Sequence, residues 1–422
     1  MSSISIRSLG ISSLTYLFSG VLSAVVPFLA LPFFTKYLSA DEYGLVGLFQ
    51  GVFTIFLAVV GLGVAGSVVK KRGDLNDHEF GVYNFNLLLI WLASGVVIAF
   101  LVALLNPYLT GYFVVSSFVI WAGFFYAFFT FATNIQLAIL QSENKSYTYS
   151  FIQVMSVVLN VLLGVIAVRY FMASGESRVL SMVIASVVMA FCSIIFIVKS
   201  KRVIFFYNVE HIKMAMRFGV PLMPHGLTIF LSNWASLFVL KMFVDADSVG
   251  IYLFAFQLSM VLGVACDAFN RAYVPWLFSH LKVNLFKDKV RIVKVTYVHF
   301  VVTLGVAISS FYLGPTFIKF VFSREYWESA EIVGILVLGQ AFGGMYLMVT
   351  NYLFFMERTT ILSAVTISTN ILGLGLCFLL VQDFGLVGAA YAFLFTRVIS
   401  FVFVWIASSR IYNMPWFLRT TA

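Results

Sequence analysis

The sequence predicts an all-α polytopic membrane protein with twelve transmembrane helices, and three observations lead to that prediction. Of the 422 residues, 62% are hydrophobic and only 10% are charged, whereas soluble domains carry roughly 25% charged residues. The apolar residues form long runs, and twelve spans of about 20 residues would use roughly 240 positions. The runs also lack the alternation of a β-barrel strand. This composition excludes a large soluble catalytic domain, a disulfide scaffold and a disordered tail.

The first span follows Arg7 and continues to about Phe34, which is too long for the apolar region of a signal peptide. Pro27 and Pro32 should interrupt this span near its external end. The remaining spans of the first half are predicted at 42–69, 82–105, 113–140, 148–171 and 179–198. Those of the second half are predicted at 215–243, 248–278, 294–321, 330–356, 360–381 and 385–408. Each is long enough to cross about 30 Å of hydrocarbon as a helix.

The distribution of lysine and arginine predicts the orientation of the chain in the membrane. With twelve spans, eighteen of the 26 basic residues lie on the side that holds both termini, and six lie on the other side. The last two, Arg271 and Arg397, lie within spans. Because cytoplasmic loops are enriched in lysine and arginine, both termini are predicted to be cytoplasmic. The net charge of +9 is then explained by topology and implies no nucleic-acid partner.

A weak internal repeat predicts two halves. The basic stretch from Lys199 to Arg217 lies near the midpoint of the chain and is the longest predicted cytoplasmic connection. The motif Ala40-Asp41-x-x-Gly44 recurs as Ala246-Asp247-x-x-Gly250, in each case after the first span of its half. Asn160 and Asn370 also occupy equivalent spans, the fifth and the eleventh. We therefore expect two domains, 1–204 and 205–422, that share one orientation in the membrane.

The short motifs predict no cofactor, no metal site and no enzyme activity. Gly61-x-Gly63-x-x-Gly66 matches a dinucleotide-binding pattern, but no strand precedes it, so close helix packing in the second span is the better interpretation. Cys192, Cys266 and Cys377 are far apart in apolar segments and have neither metal-site spacing nor a disulfide pattern.

Charged residues inside spans are the most informative signal, because they are costly in lipid and usually face a cavity. Arg397 lies about twelve residues into the last span, either in a cavity or in a structural polar pair. Asp267 and Arg271 share one face of the eighth span. They form either a cavity-lining pair or the cytoplasmic end of a helix that extends past the bilayer. The nearby Trp276 suits the second position.

His225 lies in a segment that should break the seventh span. Residues 219–226 contain two prolines and two glycines, which expose backbone carbonyl groups that need partners. Transporters place substrates at such breaks. The alternative is a structural kink capped by a buried histidine.

Several segments together resemble a known family of membrane proteins. They resemble the bacterial O-antigen flippases, the polysaccharide-biosynthesis exporters of the multidrug/oligosaccharidyl-lipid/polysaccharide superfamily. The resemblance covers essentially the whole chain. The matching segments are the run from Pro32 to Gly44, Gly61-Leu62-Gly63, Phe218-Gly219-Val220-Pro221, Arg324-Glu325-Tyr326 and the run from Gly385 to Ala390.

The resemblance implies two six-helix bundles around a central cavity, working by alternating access. It also implies a substrate, an oligosaccharide linked to undecaprenyl pyrophosphate, that moves from the cytoplasmic to the periplasmic leaflet of the bacterial inner membrane. Membrane lipid, a polysaccharide polymerase and a chain-length regulator are the expected partners. Family members use cationic cavity residues for the anionic lipid head, and only Arg271 and Arg397 are plausible equivalents here.

The residues themselves also favour an anionic substrate, because arginine offers a planar set of donors for phosphate oxygens. The hypothesis is that Arg271 and Arg397 bind the pyrophosphate, with His225, Asn160 and Asn370 as further substrate-binding residues. Asp267 and His225 are the candidates for coupling to H⁺ or Na⁺.

Two other functions are compatible with the sequence. One is a multidrug antiporter of the same fold, in which a cationic dye would compete with the substrate for binding. A polysaccharide polymerase would need a sizeable external loop with catalytic groups, whereas the external connections predicted here are all short.

Overall fold

A computed structural model describes residues 6–417, except for the side chains of residues 6–14, His225 and Thr359. All regular elements in this part of the chain are helical. The first helices are α1 (Ile6–Leu29), α2 (Leu31–Tyr37), α3 (Ala40–Val59), α4 (Ser67–Lys71), α5 (Asp77–Phe113), α6 (Ser117–Ser142), α7 (Ser146–Ile166) and α8 (Gly175–Lys199). They are followed by α9 (Val209–Gly219), α10 (Met223–Asn233), α11 (Ala235–Phe243), α12 (Ala246–Val283), α13 (Phe286–Val321), α14 (Ala330–Phe355) and α15 (Thr359–Ile411).

The protein is a multi-pass membrane protein. Within residues 6–417, ten helical segments are long and apolar enough to cross a membrane, and the number rises to eleven if a bent pair counts as one span. That pair comprises Val209–Asn233 and Ala235–Phe243, which meet at an angle of 49°. The predicted all-helical membrane class is therefore confirmed.

Helix α15 is too long to be a single crossing, because 53 residues would extend roughly 80 Å. The helix breaks at Gly385, where φ is 52° and ψ is −126°. Beyond the break the chain returns along the first half, so that the Ser400 hydroxyl donates to Thr369 Oγ1 over 2.8 Å. The two parts of α15 thus form a helical hairpin whose turn falls close to the predicted connection at 382–384.

The chain divides into two compact units, the first ending at Phe238 and the second beginning at Val239. The core of the first unit is built around Tyr83 and Ile135, and that of the second around Leu277 and Val349. The predicted domain boundary at 204/205, taken from the repeat, stays a prediction.

The basic connection after α8 is docked on the first unit. The backbone N–H of Ile204 donates to the carbonyl oxygen of Gly81 over 3.0 Å. Asn86 donates to the carbonyl oxygen of Phe206 and accepts from the N–H of Asn208. These contacts fix the segment against α5, so it packs with the first unit.

The two copies of the Ala-Asp-x-x-Gly motif occupy the same structural position. Ser39 caps the N-terminus of α3, and Asp245 caps the N-terminus of α12 by accepting from the N–H of Ser248 over 2.8 Å. That hydrogen bond lowers the pKa of Asp245 below its usual value. Each motif therefore forms the first turn of a membrane-crossing helix, which supports the repeat.

The glycines of the second span break it. Gly61, Leu62 and Gly63 all have left-handed backbone conformations, with φ between 53° and 69°. A Cβ on Gly63 would lie 2.7 Å from the carbonyl oxygen of Gly219. The predicted close packing is therefore found here, at a break that faces the end of α9.

Candidate functional site

Arg397 lies near the middle of the second part of α15. It is twelve residues from Gly385 and fourteen from Ile411, roughly 18 Å and 21 Å along the helix axis. Its guanidinium carbon lies 5.0 Å from the centre of the Phe393 ring, one turn earlier. The guanidinium therefore lies on the middle turns of an apolar helical segment, a position at which a charged group is costly in lipid.

Small residues of α14 make room for this part of α15. A Cβ on Gly339 would lie 2.6 Å from the Phe393 ring, and one on Gly343 would lie 4.0 Å from Arg397 Cδ. Gly339 and Gly343 are one turn apart, so α14 presents a small-xxx-small surface to α15. The glycines thus position the ring and the aliphatic part of the arginine side chain.

The first part of α15 supplies polar groups from the facing side of the hairpin. The Thr366 Oγ1 and Tyr346 hydroxyl are 3.2 Å apart, and Thr369 accepts from Ser400. Asn370 is only 5% exposed, and its Nδ2 has no hydrogen-bond partner within the described structure. A buried amide donor without a partner costs free energy unless a ligand satisfies it.

Arg271 lies in a different environment from Arg397. Its Nε donates to Asp267 Oδ2 over 2.8 Å, and the side chains of Arg271 and Asp267 are 63% and 47% exposed. Asp267 is 21 residues past Ala246, roughly 32 Å along α12, which is about the thickness of the hydrocarbon layer. Of the two interpretations left open by the sequence, this geometry favours the end of a helix that extends past the bilayer.

A polar pair that was not predicted lies next to Arg271 on the same helix. Asn351 Nδ2 donates to Asn270 Oδ1 over 2.8 Å, linking α14 to α12. Asn270 lies next to Arg271 and Asn351 follows Thr350, so the only signal of this pair in the sequence was an amide within a predicted span.

Asn160 is engaged by a buried arginine of the first unit. Arg178 Nη2 donates to Asn160 Oδ1 over 2.7 Å, and Nη1 donates to the carbonyl oxygen of Asn160 over 3.1 Å. Asn160 in turn donates to the Tyr126 hydroxyl over 3.3 Å. Asn160 was predicted to bind substrate, but its side-chain oxygen already accepts a hydrogen bond from Arg178.

Arg178 lies one residue before the predicted start of the sixth span at residue 179. The structure places it in the first turn of α8 with 8% of its surface exposed. Its guanidinium stacks over Phe34 at 4.8 Å. Within the described residues no carboxylate lies within ion-pair distance of it, so neutral oxygens and an aromatic face hold this charge.

The predicted break of the seventh span is present, although the role of His225 stays a prediction. Residues Val220–Leu222 form a 3-10 turn between α9 and α10. The side chain of His225 lies outside the described part of the structure, and so do the side chain of Arg7 and the whole of Arg419.

The described residues contain no group of three histidine, cysteine, aspartate or glutamate side chains that could hold a metal ion. Cys192, Cys266 and Cys377 are free thiols in the structure.

The sequence matches a known protein family. The model of a family described as polysaccharide biosynthesis protein matches residues 10–281, which is more than half of the chain.

Two relatives come from Haemophilus influenzae. A protein of the Lsg locus is 25% identical over 382 residues, covering 85% of this chain and 88% of that protein. An uncharacterized membrane protein is 23% identical over 376 residues, covering 85% of this chain and 87% of its own length.

Solved structures share the fold. An inward-facing multidrug resistance MATE family transporter of the MOP superfamily aligns with a TM-score of 0.75 at 15% identity, covering 94% of this chain and 98% of the other. The lipid II flippase MurJ in an inward closed conformation aligns with a TM-score of 0.71 at 15% identity, covering 95% and 86%. The fold is that of membrane transporters.

Proposed function

Because the chain belongs to the polysaccharide biosynthesis protein family, we propose that it is a flippase for an oligosaccharide linked to undecaprenyl pyrophosphate. The substrate is an O-antigen repeat unit or a related oligosaccharide. It moves from the cytoplasmic to the periplasmic leaflet of the inner membrane by alternating access. The family and the transporter fold support a transporter rather than an enzyme.

One observation carries the choice of substrate class: a guanidinium group lies at mid-depth of a membrane-spanning helix. Arg397 is there, beside the phenyl ring of Phe393. A pyrophosphate that crosses the bilayer has to exchange water for other donors. A guanidinium can donate two parallel N–H groups to two oxygens of one phosphate. At this depth little water is present to screen the interaction.

The proposed site residues act at different steps of transport. Arg397 binds the pyrophosphate at mid-depth, and the unpartnered Nδ2 of Asn370 is a further donor. Arg271, with its exposed guanidinium in the part of α12 that extends past the hydrocarbon layer, contacts the lipid head before or after crossing. Asp267 and His225 stay candidates for H⁺ or Na⁺ coupling. Asn160 contributes through Arg178, which holds it.

The proposed topology has twelve crossings in two bundles of six, with both termini cytoplasmic. The hairpin at Gly385 supports this count, because it turns one long helix into two segments that are each long enough to span the membrane. The excess of lysine and arginine on the side of the termini supports the orientation.

Deletion of the gene, followed by analysis of lipid-linked intermediates, tests this function in cells. The flippase proposal predicts that complete repeat units accumulate on undecaprenyl pyrophosphate in the inner leaflet, protected from reagents added outside. A polymerase would instead leave exported, unpolymerised units accessible from the periplasm, and that result would overturn the proposal. A polymerase and a chain-length regulator are the proposed partners downstream.

A multidrug antiporter is the second candidate, and the similarity to a multidrug resistance transporter fold favours it. Such a protein would accelerate the efflux of a cationic dye from vesicles. The flippase proposal predicts no dye efflux above that of empty vesicles.

A further inference from the structure

A groove runs between the two parts of the α15 hairpin on the surface of the second unit. Its volume is about 410 Å³. The first part of α15 contributes five residues that recur at helical spacing and so share one face: Ala364, Val365, Ser368, Thr369 and Leu372. They extend over eight residues, or roughly 12 Å of helix.

The second part of α15 contributes Phe403, Ile406, Ala407 and Arg410. Phe403 and Ile406 are 52% and 45% exposed, so the rim of the groove is apolar and open, while the small Ala407 leaves the space between the helices unfilled. The groove is thus an apolar channel on the surface of a helical hairpin that crosses the membrane, where its solvent is the acyl chains of the bilayer.

The length of the groove matches one leaflet. A hydrocarbon layer of about 30 Å gives about 15 Å for each leaflet, and the groove extends roughly 12 Å along the helix axis. One end lies at Arg410, in the last turn of α15, and the other lies near mid-depth at Leu372. An occupant therefore has its head at the membrane surface and a single chain directed inward.

The volume agrees with one chain of ordinary length. The groove is open along one side, and its volume of about 410 Å³ accommodates a single hydrocarbon chain about as long as the groove.

The charge at the mouth indicates the chemistry of the head. Arg410 is exposed and forms no ion pair with a carboxylate of the described residues. Basic pockets between transmembrane helices bind anionic lipid heads, and each lysine or arginine near the surface adds affinity for an anionic lipid. A phosphodiester with a net negative charge is complementary to this guanidinium.

We infer that the α15 groove binds an anionic phospholipid of the bilayer, with one acyl chain between the two helices and the phosphate at Arg410. This lipid differs from the transported substrate, and the inference does not depend on the proposed function. Through this site, the packing of the α15 hairpin depends on the lipid composition of the leaflet in which Arg410 lies.

Photocrosslinking with phosphatidylglycerol tests the site. The purified full-length protein is placed in nanodiscs with a phosphatidylglycerol that carries a diazirine in one acyl chain, and cross-linked peptides are mapped by mass spectrometry. We expect cross-links in residues 364–372 and 403–410, with phosphatidylethanolamine of the same chain giving about fivefold less. Cross-links spread evenly over all exposed helices would overturn the inference.

Two variants and a control separate the parts of the site. Arg410→Gln should lower the preference for phosphatidylglycerol about fivefold, and Ala407→Trp should abolish cross-links in the groove with either head. Arg217→Gln removes an exposed arginine of α9, in the first unit and outside the groove, and should change nothing. An equal loss in Arg217→Gln would show a general surface-charge effect and contradict the assignment. Displacement of phosphatidylglycerol by an equimolar undecaprenyl phosphate would assign the groove to the polyprenyl chain instead.

Discussion

Two arginines within the helices define the interior chemistry of this protein at the scale of single residues. Arg397 lies in the second unit at mid-depth of its span, and Arg178 lies in the first unit at the beginning of α8. Arg178 is bound to both oxygens of Asn160 and to Ser181, which leaves little of its hydrogen-bonding capacity for a ligand. Arg178 thus acts as a structural clamp between α7 and α8, whereas Arg397 is the candidate for substrate.

Replacement of Arg178 should therefore reduce stability. Arg178→Ala leaves a cavity and an unsatisfied Asn160 oxygen, and we expect a loss of about 1–3 kcal/mol in the free energy of unfolding. Arg178→Lys should lose less, because one ammonium group can still reach one of the two oxygens. The measurement is the unfolding midpoint of the purified protein in detergent.

Arg169→Ala is the matched control for that experiment. Arg169 is exposed and stacks over Tyr37 at 5.3 Å, near the same end of the first unit. If both alanine variants lowered the midpoint equally, the clamp assigned to Arg178 would be refuted.

At the scale of elements, the breaks in helices are the features that position close contacts. In the second span, three consecutive residues have positive φ, and the backbone of Gly63 touches that of Gly219. Two broken helices thus meet through glycines within the first unit. A side chain at the contact would force the two backbones apart.

Gly63→Ala should be destabilising for two reasons. An alanine at φ 68° costs about 1–2 kcal/mol in backbone strain, and its Cβ would lie 2.7 Å from a carbonyl oxygen. We expect a lower unfolding midpoint than wild type by at least that strain energy.

Gly66→Ala serves as the comparison, since a Cβ there meets only Phe218 at an ordinary 3.4 Å and the backbone has no positive φ. It should leave the midpoint nearly unchanged. Equal effects of the two substitutions would mean that the contact with Gly219 is not a constraint on the fold.

The sequence predicted elements better than contacts between them. Apolar runs located the spans, because a helix that crosses lipid needs about 20 apolar residues in a row. The gap between the last two predicted spans, at 382–384, located the turn of the last hairpin, and Gly61-x-Gly63 marked a close approach. The left-handed backbone of Leu62 was not predicted, because leucine disfavours that conformation.

Contacts over long sequence distances explain the remaining differences. Arg178 lay one residue before the predicted start of a span, and nothing in the local sequence indicates that Asn160 would bind it. The docking of the basic connection depends on Asn86, more than a hundred residues before it in the chain. Such pairings depend on the tertiary structure and are not encoded by hydropathy.

At the scale of the whole molecule, family, fold and charge agree on one class of function. The chain belongs to the polysaccharide biosynthesis protein family and has the fold of membrane transporters. The proposal that its substrate is a lipid-linked oligosaccharide depends on Arg397, because that residue supplies a cation where a crossing pyrophosphate would lose its water. The central claim is therefore that one guanidinium at mid-depth serves translocation.

Translocation of an undecaprenyl-pyrophosphate-linked oligosaccharide in reconstituted vesicles tests that claim most directly. Wild-type protein should move the labelled lipid across the bilayer faster than empty vesicles. Arg397→Ala should be roughly ten- to hundredfold slower, because the variant loses a charge-assisted hydrogen bond to the pyrophosphate. Arg397→Lys should be intermediate, and Arg358→Ala should match wild type. Equal rates for wild type and a folded Arg397→Ala protein, or no acceleration by wild type at all, would contradict the account.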